Sequence, residues 1–318
     1  MFEQEDYAVS NLIKQVDSSQ NISGKGEVLV ENAKRILKRH GFEILLVLPM
    51  SLYILGFTIV PIFQSILMGF TDEYTGALSL SNYTYLFGRP NFTQSILNTV
   101  ATALISQVFQ LILGLGIASI LKRQFRGKGL IRSLVLMPMG IPTLVSGVIA
   151  IYIFSTSGYL NEMLFRLGLI QTPVQWTRGG VLGVLVVVVA DTWKVLPTMV
   201  LLLLAGLESI PQELYDAGEI DGASRWQAFR HITLPLLKPS ITMSVLFRAV
   251  DAFRIFELPQ VLVGQQIPYL ATYAYEEYSN GNVNASGAAS TILLVIILVF
   301  ALFYLKVIDR GEGFGVED

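Results

Sequence analysis

Cysteine is absent from this chain, which removes disulfides, thiolate nucleophiles and cysteine-ligated metal or cluster sites together. Histidine occurs only as His40 and His231. The two are far apart in sequence and read as surface or interfacial residues, so no metal ligand is assigned. Charge is scarce as well. Only 14% of the 318 residues are Asp, Glu, Lys or Arg, against about a quarter in soluble domains. The net charge of -2 makes no electrostatic case for nucleic acid. The phosphate-cradling loop G-x-x-x-x-G-K-[ST] is missing, so no nucleotide site of that type is assigned and no cofactor is expected in this chain. The apolar segments also lack His, Cys, paired aspartates and a Ser-Lys pair of clear geometry, so no catalytic residue is assigned.

Apolar side chains are plentiful: 53% of residues are hydrophobic and the mean hydropathy is +0.57. The expected class is an all-α integral membrane protein. A spanning helix needs roughly 20 mostly apolar residues, and six segments qualify, at 44–68, 96–121, 133–155, 181–205, 240–262 and 287–307. Glu3, Glu5 and Asp6 stand where a cleavable signal needs positive charge, so the N-terminus is expected to be retained. Residues 1–43 then form an N-terminal segment in which Val30–Arg39 is either a basic amphipathic surface helix or a plain solvated one. Residues 44–307 form the spanning domain, and 308–318 a tail.

Lys and Arg give the orientation. They gather before the first span, in the loop Lys122, Arg123, Arg126, Lys128 and Arg132, in the stretch holding Arg225, Arg230 and Lys238, and at Lys306 and Arg310. The alternate loops hold only Arg89, Arg166 and Arg178. The basic side is the cytosol, so both termini and the loop between the fourth and fifth spans are expected there.

That loop is organised. After Pro211, Leu214, Ala217, Ile220 and Ala223 recur at helical spacing, and Gly222 stands where a tight turn needs a backbone without a Cβ. Ser224 and Gln227 have the spacing of a capping box for a second helix carrying Ala223, Trp226 and Phe229. Pro235 and Pro239 are expected to stop that helix. The apolar face either folds back on the ends of its own spans or docks on a partner.

Charge inside a span is costly and marks function by default. Asp191 and Lys194, three apart, are expected to pair on the fourth span, while Arg248, Asp251, Arg254 and Glu257 form a stripe of alternating sign along the fifth. The stripe is either a set of structural ion pairs or the border of a solute path. Arg248 is assigned to packing, Asp251 and Arg254 to the path. Tyr152, Trp193 and Phe253 offer flat faces for stacking on a ligand ring, with helix packing as the alternative. Pro138, Gly140 and Pro142 favour a kink in the third span, and Gly114 and Ala118 give a small-residue surface for close helix contact.

The stretch IPQELYDAGEIDGASRWQAFRHITLPLLKP, Ile210–Pro239, resembles the EAA loop of binding-protein-dependent ABC importer permeases. There a Glu-Ala-Ala triplet precedes a Gly and is followed by Ile-x-Leu-Pro. Here the elements read Asp216-Ala217-Gly218, Asp221-Gly222-Ala223 and Ile232-Thr233-Leu234-Pro235. LVLPMSLYILGFTIVPIFQSI, LMPMGIPTLVSGVIAIYIFS and DTWKVLPTMVLLLLAGLESIP are similar to the sugar, maltose-permease-like branch. Asp216 in place of Glu and Gly218 in place of Ala depart from the pattern, as does Val263-Gly-Gln-Gln-Ile-Pro268, where many sugar permeases have a Gly-Gly-Pro turn.

The resemblance implies a type I importer permease core of six spans, with a cytosolic coupling helix in the 210–239 loop between spans four and five. It implies a prokaryotic inner-membrane protein that takes a sugar or related polyhydroxylated solute from an extracytoplasmic solute-binding protein. It further implies a second homologous permease, usually a different chain giving a heterodimer, surrounding lipid, and an ATPase dimer that holds ATP and Mg²⁺. Coupling falls to Glu213, Asp216, Ala217, Gly218, Asp221, Gly222, Trp226 and Phe229. The solute-path candidates are Tyr152, Asp191, Trp193, Lys194, Asp251, Arg254 and Glu257. An importer for an amino acid or polyamine is the alternative; a channel or ATP-independent carrier would not explain a cytosolic docking loop.

Overall fold

The computed structural model of the protein describes residues 38–309. Residues 30–37 of the expected surface helix and the tail beyond 309 lie outside them. The chain divides into two units, Met1–Gln64 and Ser65–Asp318. The described residues are helical with no strand; an isolated bridge between Thr71 and Leu78 closes one turn.

Helix α1, Lys38–Gly69, is long and apolar enough to span a membrane. Its part in the first unit includes a π-turn, Leu55–Ile59, in which Val60 N–H reaches Leu55 O. Pro61 follows at once. A proline ring collides with the carbonyl four residues earlier, and the wider turn relieves the collision without ending the helix.

The second unit continues through α2 (Ser81–Phe87), α3 (Pro90–Lys122), α4 (Lys128–Leu136), α5 (Thr143–Phe154), α6 (Tyr159–Arg166), α7 (Gly180–Glu208), α8 (Gln212–Ile220), α9 (Arg225–Ala228), α10 (Leu234–Phe253), α11 (Glu257–Leu262), α12 (Leu270–Ser279) and α13 (Val283–Phe303). Among the described residues five stretches are long and apolar enough to cross a membrane: Lys38–Gly69, Pro90–Lys122, Thr143–Arg166, Gly180–Glu208 and Val283–Val307. The expected third span is broken into α4 and α5 by a 3-10 turn, Met137–Gly140, where Pro138, Gly140 and Pro142 fall. The expected fifth segment is not among the five. Its helix α10 is 20 residues long but carries Lys238, Arg248 and Asp251, and it ends at Phe253 rather than at 262.

Helices α3 and α7 pack closely because small residues admit it. A Cβ on Gly114 would come 2.7 Å from Met199 Cγ, and Ala118 is buried in a cluster with Met199, Leu203, Leu207 and Leu237. In lipid, where apolar burial supplies little drive, such close contact is a principal source of helix adhesion. The same device joins α13 to the end of α1: a Cβ on Gly287 would lie 2.6 Å from Ser65 O.

One face of α3 is polar and buried: Ser95, Asn98, Thr99, Thr102, Ser106, Gln107 and Gln110. Its groups meet other elements, with Asn98 Nδ2 donating to Pro268 O at 2.9 Å, Leu270 N–H to Thr99 Oγ1 at 2.8 Å, and Gln107 Nε2 to Val245 O at 2.5 Å. Interhelical hydrogen bonds in membranes contribute about 0.6 kcal/mol each on average. That is too little for stability alone to account for so many polar side chains on one face of a spanning helix.

Candidate functional site

Six charged residues of the α7 and α10 regions converge on one cavity of about 450 Å³. Asp191, Lys194 and Thr198 line it from α7, Arg248 and Asp251 from α10, Arg254 from the break after α10, and Glu257 from the start of α11. Met139 and Thr143 close it from the broken third segment. All five charged path candidates are therefore brought together. The expected single-helix stripe is corrected, however. Arg254 is the C-cap of α10, with φ -95° and ψ 24°, and Glu257 opens a different helix, so the turn at 254–256 gathers these charges.

The expected pair of Asp191 with Lys194 is replaced by other partners. Lys194 Nζ donates to Pro138 O at 3.1 Å, a carbonyl within the interruption of the third segment. Asp191 Oδ2 instead accepts from Gln110 Nε2 at 2.9 Å, and Gln110 Oε1 accepts from Arg248 Nε at 3.4 Å. Arg248 Nη1 donates to Asp251 Oδ2 at 3.0 Å and Arg254 Nη2 to Asp251 Oδ1 at 3.4 Å. The Arg248 side chain is only 4% exposed, whereas that of Arg254 is 66% exposed. Arg248 is thus enclosed, and Asp251 and Arg254 stand open to the cavity.

Tyr152 and Trp193 do not line this cavity; both are exposed at the helix surface. Phe253 is buried against Phe300, with ring centroids 5.1 Å apart. Gln110, Met139 and Thr143 went unremarked in the sequence. For Gln110 the signal was there, in polar residues recurring every three or four positions through an apolar run.

The 210–239 stretch forms a helix, a turn and a second helix. Helix α8 carries Glu213, Asp216, Ala217 and Gly218, and Asp216 Oδ1 accepts from Gln212 Nε2 at 3.0 Å. Its end is closed by two bonds, Gly222 N–H to Glu219 O at 3.0 Å and Ala223 N–H to Gly218 O at 2.8 Å. This pattern requires the residue after Asp221 to be left-handed, and Gly222 has φ +76°. A Cβ on Gly218 would meet Ile232 Cδ1 at 2.9 Å, so a glycine there lets the two helices approach.

Ser224 and Gln227 form a reciprocal capping box that starts α9. Trp226 is 68% exposed and stacks on Phe229, with centroids 5.6 Å apart. Ile220 nearby is 87% exposed. The prolines do not stop the second helix as expected. A π-turn, Phe229–Thr233, carries α9 into α10, Pro235 lies in the first turn of α10, and Pro239 lies inside it. The cause is that seen before Pro61. Tyr215 ties the loop to its surroundings: its hydroxyl is 3.0 Å from Thr233 Oγ1, and Lys122 Nζ sits 4.3 Å from its ring centre.

Three relatives bear on this arrangement. The chain is 35% identical over 273 residues, 83% of its length and 92% of the relative's, to the trehalose/maltose transport system permease protein MalF of Thermococcus litoralis. It is 33% identical over 282 residues, 85% of its length and 90% of the relative's, to the trehalose transport system permease protein SugA of Mycobacterium tuberculosis. A bacterial alginate ABC transporter, crystallised with an alginate pentasaccharide-bound periplasmic protein, shares the fold. Its TM-score is 0.76 at 22% identity, over 87% of this chain and 98% of that one. The family described as "Binding-protein-dependent transport system inner membrane component" matches residues 110–312, which include both the cavity and the 210–239 stretch. The resemblance carried by Ile210–Pro239 therefore holds, and the chain belongs to the inner-membrane components of binding-protein-dependent transport systems.

Proposed function

We propose that this chain forms one half of the membrane path of an ATP-driven importer for a sugar or related polyhydroxylated solute. The observation that carries the reading is the cavity, where Lys194, Arg248 and Arg254 face Asp191, Asp251 and Glu257 within one wall. A hydroxyl both donates and accepts, so a wall with both kinds of group and no excess of either charge suits a solute rich in hydroxyls. The trehalose and maltose in the relatives' names point the same way.

The 210–239 loop is the coupling element in this reading. Trp226 and Phe229 are the apolar anchor for a separate ATPase, and Glu213, Asp216 and Asp221 its charged rim, an anatomy common to specific interfaces. ATP and Mg²⁺ reside on that ATPase dimer. Ala217, Gly218 and Gly222 set the geometry of the two short helices. From Trp226 to Asp251 the chain runs without interruption through α9, the π-turn and α10. At 1.5 Å per residue that is a lever of about 35–40 Å from anchor to cavity.

The basic loops and both termini lie in the cytosol, and α10 with α11 makes the sixth crossing. A second, homologous and different permease completes the path. Tyr152 and Trp193, on the outer helix surface, meet that partner or lipid rather than solute. A soluble binding protein delivers the solute from outside, a reading supported by the pentasaccharide-bound periplasmic protein in the alginate complex.

The test is reconstitution of the complex in proteoliposomes with its ATPase, partner permease and binding protein. ATP-dependent uptake of labelled trehalose or maltose that disappears without the binding protein is expected. Uptake of an amino acid or polyamine in place of sugar would overturn the solute assignment, and ATP hydrolysis by the purified chain alone would overturn the division of labour.

A further inference from the structure

Gln110 does not line the cavity, yet two of the charged residues that do are bonded to it. It is fully buried, at 0% exposure, and its carboxamide lies between helices α7 and α10. The nitrogen end donates to Asp191 and the oxygen end accepts from Arg248. Arg248 in turn holds Asp251, and Asp251 holds Arg254. One amide on α3 thus lies at the root of a chain of four charged groups drawn from two other helices and a turn.

The chemistry of the residue matches this place. A carboxamide offers a donor at one end and an acceptor at the other, which is what a carboxylate on one side and a guanidinium on the other require. A carboxylate here would face Asp191 with like charge. An aliphatic side chain would leave an Asp191 oxygen and an Arg248 N–H unmet inside the bundle. The amide also has little freedom to swing. One turn away Gln107 clamps α10 through Val245 O, and four residues on, Gly114 is in close contact with Met199 of α7.

We infer that Gln110 is a positioning residue for solute passage. Through Asp191 and Arg248 it sets where the cavity's charges stand, so its loss lowers the solute moved per ATP without abolishing ATP hydrolysis. The inference rests on the reading of the cavity as the solute path.

The experiment uses the full reconstituted complex and reads the ratio of sugar taken up to ATP hydrolysed, a ratio independent of how much complex assembles. Gln110→Glu keeps the shape and reverses the polarity toward Asp191. It is expected to lower the ratio by about tenfold, the scale of one lost hydrogen bond to a charged group. Combining it with Asp191→Asn, which lets the new carboxylate accept from both neighbours, is expected to give a ratio above that of Gln110→Glu alone. Arg254→Gln, at the open wall, reports on the cavity itself.

A normal ratio for Gln110→Glu beside a lowered one for Arg254→Gln would overturn the positioning role and leave the path standing. Normal ratios for both would overturn the path reading. A lowered ratio for Gln110→Glu that the second substitution fails to raise would also overturn the inference, since the effect would not then run through Asp191.

Discussion

Gly222→Val is the most direct perturbation of the turn to which coupling is proposed to fall. No atom lies within 4 Å of where the new Cβ would point, so the cost is conformational rather than steric. The residue is left-handed, with φ +76°, a state that costs an ordinary L-residue about 1–2 kcal/mol and is a true outlier for a β-branched one. The turn can escape by leaving that state. It then forfeits the bonds from Gly222 N–H to Glu219 O and from Ala223 N–H to Gly218 O, worth about 0.5–1.5 kcal/mol each. The two routes cost about the same, and neither threatens the spans. The variant should insert and assemble with its partner permease, but with the angle between α8 and α9 altered and Trp226 displaced. Retention of the ATPase on the purified permease pair and ATP-driven uptake are the assays, and both should fall. Gly222→Asn is the control, because Asn tolerates the left-handed state, and it should keep most of both activities. Wild-type ATPase retention and uptake in Gly222→Val would refute the argument that this turn sets the coupling geometry.

Further outcomes follow from packing and from the loops outside the membrane. Gly287→Val places atoms against Ser65 O and Gly69 N, backbone that cannot yield. Overpacking of this kind costs about 1–3 kcal/mol, read as a lower thermal midpoint in detergent, while Gly116→Ala, with open space at its Cβ, should be neutral. Asn161 is buried; its amide donates to Val174 O at 2.8 Å and accepts from Val174 N–H and Trp176 Nε1, each at 3.0 Å. Asn161→Ala strips partners costing about 1–3 kcal/mol per orphaned group, so limited proteolysis should cut the 167–179 loop faster while insertion is unchanged. Asp72 is held below the usual carboxylate range, chiefly by the Thr75 N–H and then by the Ser81 hydroxyl. A depressed pKa means that the carboxylate stabilises the turn at neutral pH and loses that effect as pH falls through its folded value. Hydrogen exchange at Thr75 should therefore accelerate only below the ordinary carboxylate pKa, and Asp72→Asn should abolish that dependence.

The sequence was most legible where local chemistry decides the backbone. Gly222 and the Ser224–Gln227 box were readable because a left-handed turn and a capped helix start leave few alternatives. Gly114 and Ala118 were readable because only small residues let two helices approach. Proline misled. Pro235 and Pro239 should stop a helix, but a π-turn before Pro235 absorbs the collision, and nothing in FRHIT announces that turn. Spacing also misled at Asp191 and Lys194, since a three-residue interval puts two charges on one face but does not say what stands opposite. Gln110 and Pro138 stand opposite here, and both are distant in sequence. That the aromatic candidates Tyr152 and Trp193 lie away from this cavity has a related reason: composition places them in spans but not on a side of them.

The interruptions of the helices connect fold to function. Backbone without internal partners is tolerated at membrane depth only where it is buried in protein or lines a wet cavity. The chain breaks its third segment at Met137–Gly140 and its fifth after Phe253. The two breaks are more than a hundred residues apart, and both border the same cavity, through Met139 on one side and Arg254 on the other. Both breaks are put to use there: the Pro138 carbonyl, which accepts from Ile141 N–H, also receives Lys194, and the turn at Arg254 lets Glu257 join charges that a straight helix would have spread along its length. Were the charges only structural ion pairs within this segment, an unbroken α10 would serve them as well, since pairs three or four residues apart form on an ordinary helix face. Two breaks converging on one charged cavity favour a water-accessible passage, with Arg248 as its buried support and Asp251 and Arg254 as its open wall.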